Sequence, residues 1–329
     1  MKTGSVVIHT AFIGDLVLLT PLLDRLRKRF PEEPLHLVTT PVSANLFEMD
    51  RRLDSVITFD KRGEDAGLSG FLKILRQIRS LKPRRLLLPH RYLRSSLLGV
   101  LAGADEIYGF KEAPLSVFFK HTISYPGRMH ETRRMFSLLE EPPSEPLLPE
   151  LVLGTVDLMR FDLPERYLVL APGSVWHSKR WQGYDQLGQS ILKQYPDLSL
   201  VLVGVEGEGD MLTMLRDDSR VTDLTGATDL RETAAVVMNA RALVCNDSAA
   251  LHLGQAVGTP LVAVFGSTVL EFGFGPQGRD DRVVSHSLDC RPCALHGVNE
   301  CKRDDFACLT AISAEEVMSE LMRLPNLSA

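Results

Sequence analysis

Short apolar runs of four to six residues recur along this 329-residue chain, and an amphipathic stretch follows most of them. Residues 5–9, 35–38 and 85–88 read as strands, and so do 167–170, 198–203, 242–245 and 261–265. Their Val, Ile and Leu residues fall at successive positions rather than alternate ones. Strands of that kind bury both faces, as a parallel sheet between helices does. Residues 22–30, 70–81, 181–194 and 230–239 carry the 3.6-residue apolar spacing of helices. The regular strand–helix alternation predicts an α/β fold with parallel sheets.

Length argues for two such domains. The boundary falls where residues 140–149 place Pro142, Pro143, Pro146 and Pro149 close together, because that stretch cannot continue a helix and makes a stiff linker. Two α/β domains of similar size are then expected to face each other across a cleft. No internal sequence repeat and no low-complexity tract is evident. No apolar run reaches the ~18 residues of a membrane span, and the first residues lack a signal-peptide cleavage pattern. The expected location is cytoplasmic. The net charge of −5 divides unevenly: residues 1–150 carry 22 basic and 18 acidic side chains, the remainder 15 and 24. A basic first half suits an anionic acceptor or a membrane surface, and the basic segments 25–29 and 82–85 are candidates to meet it. Nothing points to nucleic acid.

Three loops carry the chemistry. The first, Gly14-Asp15 within Ala11–Pro21, follows the first strand. Ligands of open α/β sheets bind at the carboxyl ends of strands. Gly14 permits a tight turn and a close substrate. Asp15 either caps the following helix or, ionised near its N-terminus, accepts a proton from an attacking hydroxyl. The second loop runs from Ala171-Pro172-Gly173-Ser174 to Lys179-Arg180-Trp181, pairing backbone N–H groups and a hydroxyl with a cation, as an anion cradle does. The third, Asn246-Asp247-Ser248, sets strong capping residues before a helix on which His252 lies one turn farther along. Glu206, after the strand at 198–203, is placed to accept from ribose hydroxyls. The loop at 11–21 lacks the Gly-x-Gly-x-x-Gly spacing and the loop at 171–181 lacks a Gly-Lys-Ser/Thr terminus, which disfavours a nicotinamide oxidoreductase and a P-loop enzyme.

Taken in order, Gly14-Asp15 with Thr20-Pro21, Ala171-Pro172-Gly173 with Lys179-Arg180-Trp181, and Asn246-Asp247-Ser248 with His252 resemble the ADP-heptose:lipopolysaccharide heptosyltransferases, glycosyltransferase family 9, of the heptosyltransferase II type. Leu88-Pro89-His90-Arg91, Arg94-Ser95-Ser96, Gly109-Phe110 and residues 130–134 are similar to that family's acceptor side. The resemblance implies a GT-B architecture of two Rossmann-like domains with parallel sheets, 1–150 holding the acceptor and 151–312 the nucleotide sugar, and a closing helix in 313–329 that crosses back to the first. It implies inverting transfer of heptose from ADP-L-glycero-β-D-manno-heptose to the lipopolysaccharide inner core on lipid A, at the inner face of the membrane. By position, Asp15 matches the base. Ser174, Lys179, Glu206, Asp247, Ser248 and His252 match the donor side, and Gly14, His90, Arg91 and Arg94 the acceptor side. No metal is expected to be essential, although a divalent cation is compatible. Gln182 stands where the relatives have proline, and Val175-Trp176-His177 is bulky for a phosphate loop. Another nucleotide sugar, another acceptor, or a binding protein without turnover remain the alternatives. Cys290, Cys293, Cys301 and Cys308 lie within nineteen residues, a set that reads as free thiols or as a structural metal site, whereas Cys245 reads as core.

Overall fold

The computed structural model describes residues 2–141 and 147–327. Pro142, Pro143 and Pro146 of the expected linker lie outside the described residues. The chain divides into two compact units, Met1–Gly154 and Thr155–Ala329.

The first unit contains β1 (Ser5–Ile8), α1 (Ile13–Leu18), α2 (Thr20–Arg29), β2 (Leu35–Thr39), α3 (Pro41–Ala44), β3 (Ser55–Thr58), α4 (Gly67–Ser80), β4 (Arg85–Leu88), α5 (Leu93–Ala102), β5 (Glu106–Phe110), β6 (His121–Ile123) and α6 (Glu131–Phe136). Its strands form one parallel sheet in the order β3-β2-β1-β4-β5-β6. Val6 and Ile8 of β1 and Leu86 and Leu88 of β4 pack on Phe71, Ile74, Leu75 and Ile78 of α4 and Leu98 of α5. Segment 25–29 does not present free charge. Arg25 pairs with Glu141 at 2.7 Å, Arg27 with Asp54 at 2.5 Å and Lys28 with Asp24 at 2.8 Å, and Arg29 lies 4.0 Å from Glu141. Arg85 is buried against Glu33 at 2.5 Å. Most of the cations in these two segments are thus paired inside the unit, with Lys28 still 69% exposed.

The second unit contains β7 (Tyr167–Ala171), α7 (Tyr184–Gln194), β8 (Ser199–Leu202), β9 (Val221–Asp223), α8 (Leu230–Met238), β10 (Leu243–Asn246), α9 (Ala249–Val257), β11 (Leu261–Val264), β12 (Arg282–Val284), α10 (Ala307–Thr310) and α11 (Ala314–Leu321). The sheet is again parallel, in the order β12-β11-β10-β7-β8-β9. Alternate residues of β7 enter opposite cores. Leu168 and Leu170 meet Leu187 and Ile191 of α7 together with Val317 and Leu321 of α11. Val169 and Ala171 share the other face with Val236, Val237, Cys245 and Leu251. Cys245 is fully buried in β10, as its apolar setting led one to expect. The last helix, α11, starts from a capping box at Ser313 and Glu316 and packs on α7, β11 and β12 of its own unit.

Both sheets have the strand order 3-2-1-4-5-6 when the strands are counted from the start of each unit. Chain direction across such a sheet reverses between its first and fourth strands. Loops leaving those two strands diverge, and the crevice between them is where open α/β sheets take ligands. In the first unit that point lies between β1 and β4, and in the second between β7 and β10.

Candidate functional site

In the first unit, β1 runs into His9 and Thr10, and β4 runs through Pro89 into His90. The two imidazoles meet at the switch point, ring centroids 4.8 Å apart and both buried. Burial, with the nearby Lys61 cation adding to it, pushes His9 down to about 3. Burial also lowers His90, with His9 and Lys61 adding. Both rings are therefore neutral at physiological pH. His90 is held by Ser95, whose Oγ lies 2.9 Å from Nε2, and it packs edge-on against Tyr92 with centroids 4.9 Å apart. Lys61 donates to the Thr10 carbonyl at 2.6 Å, and its Nζ sits 5.7 Å from the centre of the Tyr92 ring.

Asp15 is the third residue of α1. The N-cap is Phe12, so the capping alternative for Asp15 fails. Gly14 lies inside the helix and is buried, so the turn expected of it is made at Phe12 instead. Asp15 stands close to Tyr92 and Tyr125. Burial raises both phenols; the Asp15 charge adds next at Tyr92, whereas at Tyr125 Glu131 adds more than Asp15. Arg91 stacks over Tyr125 at 3.7 Å. Arg94 donates to the carbonyls of Lys61 and Gly67 and so ties the loop before α4 to α5. Within segment 130–134, His130 caps α6, and Glu131 and Arg134 form a buried pair.

In the second unit the two switch-point loops are bound to each other. Asn246, the last residue of β10, donates from Nδ2 to the Pro172 carbonyl at 2.7 Å and accepts from the Trp181 N–H at 3.2 Å. The Lys179 ammonium reaches Asp247 at 2.6 Å, where the Thr268 hydroxyl also donates at 2.5 Å. The two charged side chains are 12% and 7% exposed. Asp247 therefore anchors the lysine and does not cap the helix. The N-cap of α9 is Ser248, whose side chain makes no capping bond. The helix α9 thus starts two residues after Asp247, the residue that holds the ammonium, a combination that favours an anion. The buried Ser174 accepts at its carbonyl from Arg180 at 2.6 Å. His252 is buried one turn along α9.

Sequence reasoning missed several neighbours of this pair. Glu206 lies on an exposed turn, whereas Glu208 is folded back so that its carboxylate would touch any Cβ added to Gly173. Val205 N–H holds that carboxylate at 2.9 Å. The cysteine-rich segment also returns to the lysine loop. Val298 N–H donates to Ser178 at 2.8 Å, and a Cβ on Gly297, which has a φ of +98°, would lie 3.2 Å from Lys179 Cε. His296, lowered chiefly by burial and next by Lys179, faces the same pair. Cys290, Cys293, Cys301 and Cys308 are free thiols. Burial raises Cys293, with Cys290 and Cys301 adding, so these sulfurs are neighbours. Among the described residues, no group of three or more His, Cys, Asp or Glu is arranged to hold a metal ion.

No curated protein sequence matches the chain. Among solved structures, the chain superposes on ADP-heptose lipopolysaccharide heptosyltransferase II of E. coli with a TM-score of 0.81 and 20% identity over 100% of both chains. A family 9 glycosyl transferase from Veillonella parvula gives 0.83 and 21%, covering 99% of this chain and 98% of that one. E. coli heptosyltransferase WaaC, solved with ADP-2-deoxy-2-fluoro heptose, gives 0.74 and 16%, covering 98% and 99%. The two parallel six-stranded sheets thus match the GT-B-like heptosyltransferase fold. The model of glycosyltransferase family 9 (heptosyltransferase) matches residues 72–302, and the chain accordingly belongs to that family of enzymes.

Proposed function

We propose that this enzyme transfers heptose, with inversion, from ADP-L-glycero-β-D-manno-heptose to the anionic inner core of a lipopolysaccharide precursor carried on lipid A. The observation that carries the reading is the Lys179–Asp247 pair beside the uncapped start of α9, an anion site at the switch point of the second sheet. ADP presents a diphosphate of matching charge, and WaaC of E. coli has been solved with an ADP-heptose analogue. Asp15 takes the proton of the acceptor hydroxyl as its oxygen bonds to the anomeric carbon. The bond from that carbon to the diphosphate oxygen breaks, and the electron pair leaves with ADP. Lys179 and the N–H groups behind Ser248 stabilise the departing charge, so no cation is essential. Ser174 contributes to the phosphate loop, Glu206 contacts the ribose, and His252 backs the donor loop. His90, Arg91 and Arg94 face or frame the acceptor. A lipid-borne acceptor places the work at a membrane face, in keeping with the basic first unit.

Transfer to heptosylated Kdo₂-lipid A, with ADP-heptose compared against other nucleotide sugars, tests this reading. Wild-type transfer from ADP-heptose is expected, with a loss of about 10²–10⁴-fold in Asp15→Ala while ADP binding persists. Turnover confined to another donor removes the heptose assignment. Full activity in Asp15→Ala removes the base.

A further inference from the structure

The outer face of α4 and α5 has no partner in the first unit. The inner sides of both helices pack on the sheet through Phe71, Ile74, Leu75, Ile78 and Leu98. The helices lie side by side and run the same way, because they are tied at both ends. Arg94 at the start of α5 donates to the carbonyl of Gly67 at the start of α4, and Arg79 near the end of α4 donates to Leu101 near the end of α5. A surface helix normally turns polar side chains outward. Here Leu93, Leu97 and Leu101 follow at four-residue intervals on the exposed side of α5, with Leu93 60% exposed. Leu68, 72% exposed, and Leu72 do the same on α4, and Arg76 continues their line one turn on. Scattered exposed leucines are ordinary, but a contiguous stripe of them marks a contact surface.

Charge decides what that surface fits. On α4, α5 and the loop before α4, Arg62, Lys73, Arg76 and Arg79 are exposed, against the exposed Glu64. Lys73 is paired with Asp65, and among the described residues Arg62, Arg76 and Arg79 have no ion-pair partner. Leucines embedded in uncompensated positive charge suit an anionic bilayer, where acyl chains take the leucines and headgroup phosphates the arginines. A second copy of this chain would bring the same positive face against itself. We infer that the α4–α5 face docks on an anionic membrane surface. Both helices begin at the carboxyl edge of the sheet, and α5 starts three residues after His90, so docking there sets the bilayer beside the end of β4. That last step rests on the transfer reading; the docking itself does not.

The probes are vesicles of phosphatidylcholine alone and of phosphatidylcholine with phosphatidylglycerol, read by co-sedimentation of the full chain. Binding is expected only to the anionic vesicles, and to weaken about tenfold or more in Leu68→Gln/Leu93→Gln and in Arg62→Glu/Arg76→Glu. In both variants thermal unfolding should stay near wild type, and transfer to a delipidated, soluble acceptor should be unchanged, which shows that the fold and site are intact. Wild-type protein that ignores anionic vesicles, or variants that bind as well as wild type, overturn the inference. So does a concentration-dependent dimer that the variants abolish. Vesicle binding without any heptose transfer would retain the docking face and remove the transfer reading.

Discussion

Lys179→Met tests whether the donor-site cation is held by Asp247 or merely lies near it. At 2.6 Å, and with an effective dielectric of about 20, the gross attraction is roughly 6 kcal/mol. Desolvation of two nearly buried groups offsets most of that. Stripping one partner from such a pair nevertheless costs about 3–5 kcal/mol, because the other is left as an uncompensated charge. In Lys179→Met the Thr268 hydroxyl still donates to Asp247, which puts the loss near the lower bound, about 3 kcal/mol. In a unit of this size that lowers Tm by about 6–12 °C. Asp247→Leu should cost less, about 2 kcal/mol, because the lysine stem can carry its ammonium toward water. The double variant Lys179→Met/Asp247→Leu leaves no orphaned charge and should lose less than the worse single variant. Urea unfolding and calorimetry of all four proteins read the coupling. ADP titration separates function from stability: affinity should fall about 10–100-fold in Lys179→Met and in the double variant alike, since both lack the cation. Additive stability losses would refute the pair. Undiminished ADP affinity in the double variant would refute the cation's role.

Three further outcomes follow from the same geometry. The depressed His9 imidazole is neutral when folded and protonates near 6.5 when unfolded, so its contribution is retained above pH 6.5 and lost as pH falls toward about 3; urea unfolding should show that His9→Asn removes about 2 kcal/mol of the stability fall between pH 7 and pH 5. Asn246→Ala unties the two donor loops and should cost about 1–3 kcal/mol by chemical denaturation, with weakened ADP binding measured on the folded protein. Gly297→Val places a branched side chain at a φ of +98° against Trp176 and Lys179, and should reduce ADP affinity more than acceptor affinity in paired titrations.

The interior of each sheet was legible because it is written in consecutive apolar residues. β1, β4, β7, β10 and β11 fall within a residue or so of the runs that announced them. The edges were not. β3, β6, β9 and β12 have few buried positions and little apolar sequence, so periodicity could not separate them from loops. β5, with Gly109 and charged neighbours, hid for the same reason. The expectation of two Rossmann-like units came from the family resemblance, since strand order is a property of pairing and leaves no mark in residue identity.

The donor loops were legible for a reason that also explains what escaped. Asp247 and Ser248 come immediately after β10, and a residue just past a buried parallel strand has nowhere to go except the carboxyl edge, whereas Lys179 was legible through its spacing from Ala171-Pro172-Gly173. Glu208 and Thr268 also sit in loops at strand ends, but only the folded chain shows Thr268, His296 and Gly297 at the Lys179–Asp247 pair and Glu208 against Gly173. Asp247 shows the difference most clearly. As an isolated letter beside a diphosphate it reads as repulsive; opposite a lysine at 2.6 Å it becomes the group that fixes the cation before any anion arrives. The same holds in the first unit, where His90 was singled out by resemblance to the family's acceptor side but its partner His9, a single histidine at the end of an apolar run, was not. Spacing along the chain identifies which residues reach a switch point, and pairing across it determines what each of them does there.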